Sequence, residues 1–154
     1  MTTYVAVCGS SIGTEEELAW AEEVGRLLAE AGAIVVCGGL GGVMDAAARG
    51  ASAGGGVSVG LLPGDDRLGA SEHLTVALPT GMGEMRNALI VRAADAVVAI
   101  GGEWGTLSEI AFAMRTGKPV VGLGTWDLSR SGRSTGGIVL AGSPSEAVSL
   151  ALGR

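Results

Sequence analysis

Residues 96–109 read AVVAIGGEWGTLSE, from Ala96 to Glu109. The run Ala96–Ile100 is apolar without alternation, the pattern of a strand covered on both faces. Gly101-Gly102 breaks the strand, and Thr106–Arg115 then reads as a helix. The same strand, glycine turn and helix occur twice upstream. Tyr4–Cys8 is a strand, Cys8-Gly9-Ser10-Ser11-Ile12-Gly13 a turn, and Thr14–Ala31 a helix with acids in its first turn and Gly32 as its stop. Ile34–Cys37 is a strand, Gly38-Gly39-Leu40-Gly41-Gly42 a turn, and Val43–Ala53 an alanine-rich helix.

The rest of the chain continues the alternation. Val57–Leu62 reads as a strand closed by Pro63-Gly64, residues 64–73 as a surface loop, Leu74–Leu78 as a strand and Met82–Ala93 as a helix. Pro119–Leu123 is a strand, residues 124–136 a polar glycine-rich loop, Ile138–Leu140 a short strand and Pro144–Leu152 a last helix. Such alternation implies α/β architecture: a Rossmann-like, doubly wound, mostly parallel sheet in three α/β/α layers. Residues 1–154 form one expected domain, with no repeat or linker.

Composition narrows the function. The net charge of −6 lacks the basic footprint of a nucleic-acid binder. Three Trp, one Tyr and one Phe are too few for a single-strand stacking platform. Two cysteines, Cys8 and Cys37, each end an apolar run and suit reduced thiols on neighbouring strands. No apolar run reaches membrane-spanning length, and the N-terminus lacks a signal-peptide pattern, so a cytoplasmic protein is expected. His73, the one histidine, has no Cys or His at metal spacing, so it reads as a surface residue and no metal site is expected.

The three glycine turns carry the functional signal. Glycines let main-chain N–H groups converge, and a helix N-terminus adds about half a positive charge. The candidate phosphate-binding residues are Gly9, Ser10, Gly38, Gly39, Gly41, Gly42, Gly102, Gly105 and Thr106. The Walker pattern and the G-x-G-x-x-G dinucleotide fingerprint are both missing, which disfavours an ATPase and a conventional NAD dehydrogenase.

The motifs GSS at 9–11, GGLGGVM at 38–44 and GGEWGTLSE at 101–109 resemble the LOG ("Lonely Guy") superfamily, over about residues 4–123. Members were often labelled lysine decarboxylases, and the characterised ones are cytokinin riboside 5′-monophosphate phosphoribohydrolases. The chain is most similar to a small bacterial branch that also resembles a molybdenum-cofactor carrier protein. The resemblance implies catalytic roles for Arg86 and Glu109 and phosphate contacts for Gly105 and Thr106. It implies a nucleotide monophosphate, purine-type, or the molybdenum cofactor as ligand, no required catalytic cofactor, and a homodimer or higher oligomer. It does not imply genuine lysine decarboxylation. Four positions depart from the family pattern: Cys37 stands for a glycine, Gly101 for the proline and Glu103 for the second glycine of the later motif, and Asn87 for the lysine that follows the arginine. Two readings follow: a phosphoribohydrolase cleaving an N-glycosidic bond, or a non-catalytic carrier or sensor.

Local chemistry offers plainer roles for the same residues. Thr106-x-x-Glu109 has capping-box spacing, as do Thr14-x-x-Glu17 and Ser143-x-x-Glu146. Arg86 has Glu84 and Glu109 as possible ion-pair partners. Trp104 suits stacking on a base, lid packing or a subunit contact, and Asp65-Asp66 suits a turn.

Overall fold

The computed structural model describes all 154 residues. In chain order the elements are β1 (Tyr4–Gly9), α1 (Glu15–Glu30), β2 (Ile34–Cys37), α2 (Val43–Ala53), β3 (Ser58–Leu62) and β4 (Val76–Pro79). A 3-10 turn at Gly83–Met85 leads into α3 (Arg86–Ala93), followed by β5 (Ala96–Ile100), α4 (Trp104–Arg115) and β6 (Val120–Leu123). The short pair β7 (Ser129–Arg130) and β8 (Arg133–Ser134) precedes β9 (Ile138–Leu140) and α5 (Pro144–Ala151).

Seven strands form one sheet in the order β4-β3-β2-β1-β5-β6-β9, and every neighbouring pair is parallel. The expected Rossmann-like α/β sheet is therefore present. Strand order runs outward from β1 to β4 and then returns to place β5 on the other side of β1. The switch point lies between β1 and β5, where such sheets open a crevice at the strands' carboxyl ends.

The continuous apolar strands are explained by two cores. Val5, Val7, Val35, Val98, Ile100, Val121 and Leu123 face one layer with Val24 and Leu28 of α1, Ala46 and Ala47 of α2 and Ala147 of α5. Their alternates Ala6, Cys8, Val36, Val97, Ala99 and Val120 face the other layer, with Ile90 and Val91 of α3 and Ile110 and Ala113 of α4. Side chains alternate along a strand, so burial on both faces leaves no charged position in these central strands.

The first layer rests on a close helix crossing. A Cβ on Gly25 of α1 would lie 2.1 Å from the Ala47 carbonyl oxygen, and one on Gly50 of α2 would lie 1.9 Å from that of Glu22. The glycines let the two backbones touch, at a cost of about 1 kcal/mol each in helix propensity. Thr14 begins α1 with a full capping box: it accepts from Glu17 N at 3.2 Å and donates its own N–H to the Glu17 carboxylate at 2.9 Å. At α5, Ser143 accepts from Glu146 N, but the Glu146 carboxylate takes the N–H of Gly142 instead.

Several boundaries differ from the sequence expectations. The fourth strand begins at Val76, because Leu74 turns its side chain onto Gly60 and Gly39. The helix expected over Met82–Ala93 starts as a 3-10 turn. The segment 124–136 holds the antiparallel pair β7–β8, with Arg130 opposite Arg133.

Candidate functional site

A cleft of about 620 Å³ opens at the switch point. Its lining comes from three places: Gly9, Ser10 and Ser11 after β1 with Met44 of α2, residues 84–87 at the start of α3, and Glu103–Thr106 with Ser108 and Glu109 of α4. The size lies within the range of small-molecule sites, about 300–1,000 Å³.

The start of α4 forms one wall. The helix begins at Trp104, two residues earlier than expected, and Glu103 is its N-cap residue. No side chain caps its first turn. The early N–H groups of a helix have no partner within the helix, so those of Gly105 and Thr106 remain available beside the cleft. Gly102 has φ +104°, and a Cβ there would sit 2.5 Å from the Thr106 side chain, so this turn requires glycine.

The helix start also decides the role of Glu109. With Glu103 as N-cap, Thr106 and Glu109 are too far along to form a capping box, so the capping expectation fails. Glu109 is buried instead, 8% exposed, and accepts a hydrogen bond from the Cys8 thiol, Sγ to Oε2 3.0 Å. Burial pushes its carboxyl pKa up to about 7, against the opposing pull of the Cys8 hydrogen bond and the Arg86 charge. Burial raises the Cys8 thiol well above its ordinary value, and the adjacent Glu109 charge adds to this. Cys37, also free and buried, rises to about 11, chiefly through burial.

Arg86 lines the same cleft from α3. Its Nε donates to the Leu61 carbonyl at 2.9 Å and one terminal nitrogen to the Gly38 carbonyl at 3.5 Å. The other terminal nitrogen donates to Asn87 Oδ1. Asn87 Nδ2 donates to Ser108 Oγ at 3.1 Å, and Ser108 Oγ donates to the Gly105 carbonyl at 2.6 Å. The residue in the lysine position thus ties α3 to α4. Arg86 makes no ion pair with Glu84 or Glu109.

The candidate residues separate into two groups. Gly9, Ser10, Arg86, Gly105, Thr106 and Glu109 line the cleft together. Gly38, Gly39, Gly41, Gly42 and Gly102 do not, although Gly102 lies at an adjoining hollow with Ser10 and Glu103. The second glycine turn follows β2, one strand away from the switch point. Two of its glycines allow close packing: a Cβ on Gly42 would lie 2.3 Å from the Ser10 carbonyl oxygen, and one on Gly39 would lie 2.7 Å from the Leu62 side chain. Among the residues not anticipated for the site, Cys8 has a readable signal, since strand alternation turns it toward the α3–α4 layer. Asn87 stands out in the sequence only as a departure from the family's lysine, and Ser108 gives no signal beyond its polarity.

Beside the cleft, Trp104 is 75% exposed and packs against Trp126, with ring centroids 5.1 Å apart. Trp126 Nε1 donates to the Glu103 carbonyl at 3.3 Å. His73 lies in the loop before β4, near Glu72, and no group of three or more His, Cys, Asp or Glu residues is arranged to hold a metal. No helix is long and apolar enough to cross a membrane.

Known proteins match most of the chain. An uncharacterized protein of Archaeoglobus fulgidus is 42% identical over 119 residues, 77% of this chain and 78% of the relative. The solved structure of the molybdenum cofactor binding protein from Rippkaea orientalis superposes with a TM-score of 0.91 at 33% identity, covering 97% of this chain and 95% of that one. The Moco carrier protein from Chlamydomonas reinhardtii superposes with a TM-score of 0.85 at 30% identity, with the same coverage. Residues 2–148 match the SLOG cluster4 family. With its LOG-like glycine motifs and parallel sheet, the chain belongs to the SLOG cluster4 family.

Proposed function

We propose that this chain is a carrier that holds the molybdenum cofactor, a phosphate-bearing pterin, in the cleft between β1 and β5. The observation that carries this reading is the state of Glu109. Stabilising an oxocarbenium ion calls for an ionised carboxylate facing the ribose. Glu109 is buried, bonded to a thiol and titrates near neutrality. Arg86 is tied to two backbone carbonyls, which suits fixed positioning of an anionic group. The likeness to Moco-binding structures at 30–33% identity supports the same ligand class.

A second reading is supported by Arg86 and Glu109 lining one cleft. In that reading the protein hydrolyses a purine-type nucleoside 5′-monophosphate, such as AMP or a cytokinin riboside monophosphate. Glu109 stabilises the ribose cation and Arg86 orients the substrate. One experiment separates the two. Protein isolated after incubation with the molybdenum cofactor is assayed for bound molybdenum and oxidised pterin, and in parallel for free base released from the monophosphates. Co-elution of both markers at up to one per chain, with no base released, is expected. Base release that falls about 100-fold or more in Glu109→Gln establishes the hydrolase instead.

A further inference from the structure

We propose that Glu103 and Trp104 together read the heterocycle of the ligand, selecting the 2-amino-4-oxo-pyrimidine edge that pterins and guanine share over the adenine edge. The proposal rests on the reading of the cleft as a site for a phosphate-bearing heterocycle.

Glu103 is an N-cap residue that does not cap. Its side chain makes no hydrogen bond to the first turn of α4. It reaches across to the turn after β1, where Ser10 Oγ donates to Oε1 at 3.4 Å. Both residues line the cleft. The carboxylate has about four acceptor sites, and one long hydrogen bond leaves most of them free. A free carboxylate at a ligand cleft calls for N–H or O–H donors on the ligand. It also repels a phosphate, in the position where the LOG pattern has glycine.

Trp104 supplies the complementary surface. It follows Glu103 directly, and the Trp126 ring packs against it, tilted by 37° with centroids 5.1 Å apart, while Trp126 Nε1 donates to the Glu103 carbonyl. A ring that is 75% exposed and lines the cleft offers aromatic surface to a bound ligand. A planar heterocycle stacks on such a face without regard to its identity, so stacking gives affinity and the adjacent edge contact gives choice.

The edge chemistry identifies the ligand class. The 2-amino-4-oxo-pyrimidine edge carries a ring N–H beside an exocyclic NH2, two donors that a carboxylate accepts side by side. Adenine offers one donor beside a ring-nitrogen acceptor, whose lone pair would face a carboxylate oxygen. With the edge on Glu103, the phosphate is directed away from that charge and toward Arg86, the cation among the cleft's lining residues.

Binding of 6-hydroxymethylpterin, GMP and AMP to the full chain tests this by titration calorimetry. Wild type is expected to bind GMP about 10- to 100-fold tighter than AMP, the range for one charge-assisted hydrogen bond gained or lost, and to bind the phosphate-free pterin in a manner that depends on Glu103. Glu103→Gln, on an exposed side chain, should keep the melting temperature and lose the preference, because its amide pairs with either edge. Trp104→Ala should weaken all three probes about tenfold, and Trp104→Phe should restore much of the loss. Equal binding of GMP and AMP by wild type, or an unchanged ratio in Glu103→Gln, overturns the proposal. A preference for GMP without retention of the molybdenum cofactor would refute the carrier reading and leave this one standing. Retention of the cofactor with no Glu103 dependence would do the reverse.

Discussion

The two helical layers covering the sheet are built on opposite terms. The α1–α2–α5 layer is apolar throughout its core and tight enough that Gly25 and Gly50 meet the opposing backbone directly. The α3–α4 layer has a smaller core and encloses a thiol, a carboxyl group and the edge of an open cleft. The first layer gives the sheet its stability. The second accepts a destabilising buried acid, and that acid sits where the ligand is proposed to bind. Fold and function are therefore divided by face as well as by strand order.

The largest expected effect tests the rigid layer. Gly50→Val places side-chain atoms into the Glu22 carbonyl, and two helix backbones must separate to admit them. Overpacking usually costs about 1–3 kcal/mol, and a backbone clash should raise this to about 4 kcal/mol. Thermal unfolding should show a drop of roughly 8–16 °C, at about 2–4 °C per kcal/mol for a chain of this size. A drop of only a degree or two would mean that this layer is no tighter than the other.

The next effect concerns the functional layer and depends on pH. Glu109 titrates at about 7 in the folded protein against 4.5 for an unperturbed carboxyl. Between these values the folded protein keeps a proton that the unfolded chain has released. Stability from this group therefore falls as pH rises from about 4.5 to 7, by about 3 kcal/mol in all. Denaturant unfolding at pH 5 and pH 8 should show this loss in wild type, and Glu109→Gln should remove it. A dependence that survives the substitution would assign it to other groups.

Cys8→Ala gives a smaller effect, about 1 kcal/mol, as the Glu109 carboxyl loses its donor. Its carboxyl titration, followed by carbon NMR, should move to higher pH, and Cys8→Ser should move it back. The smallest effect is expected for Arg49, which joins Glu22 of α1 and Asp45 of α2 on the exposed side of the crossing. Arg49→Ala should cost no more than about 0.5 kcal/mol. A larger loss in chemical denaturation would show that ion pairing, and not the glycine contact, holds that layer together.

Much of this division was readable in the sequence. Unbroken apolar strands, glycine turns and alanine-rich helices led to the parallel sheet, because each depends on neighbours in the chain. What was not readable depends on distance. Cys8 and Glu109 are 101 residues apart, and their contact exists only because β5 returns beside β1. The three glycine turns looked equivalent in sequence, yet strand order puts the second one outside the cleft. The start of α4 was misplaced because Gly105 resembles part of the preceding turn, whereas it is the second helical residue.

The link from β6 to β9 has a consequence for how the molecule opens. These strands are parallel neighbours, yet the chain between them carries only the β7–β8 pair and no helix. Trp126, Leu128 and Ile138 lie against the core there in place of a helical face. β9 is an edge strand of three residues, with Val139 and Leu140 exposed. This end of the sheet has the least to lose by detaching, so its amides should exchange with solvent through local opening well before those of β1 and β5. An inserted segment at Ser131–Gly132 would enter where the fewest native interactions stand to be broken, which makes the hairpin tip a natural place to attach a label without disturbing the cleft.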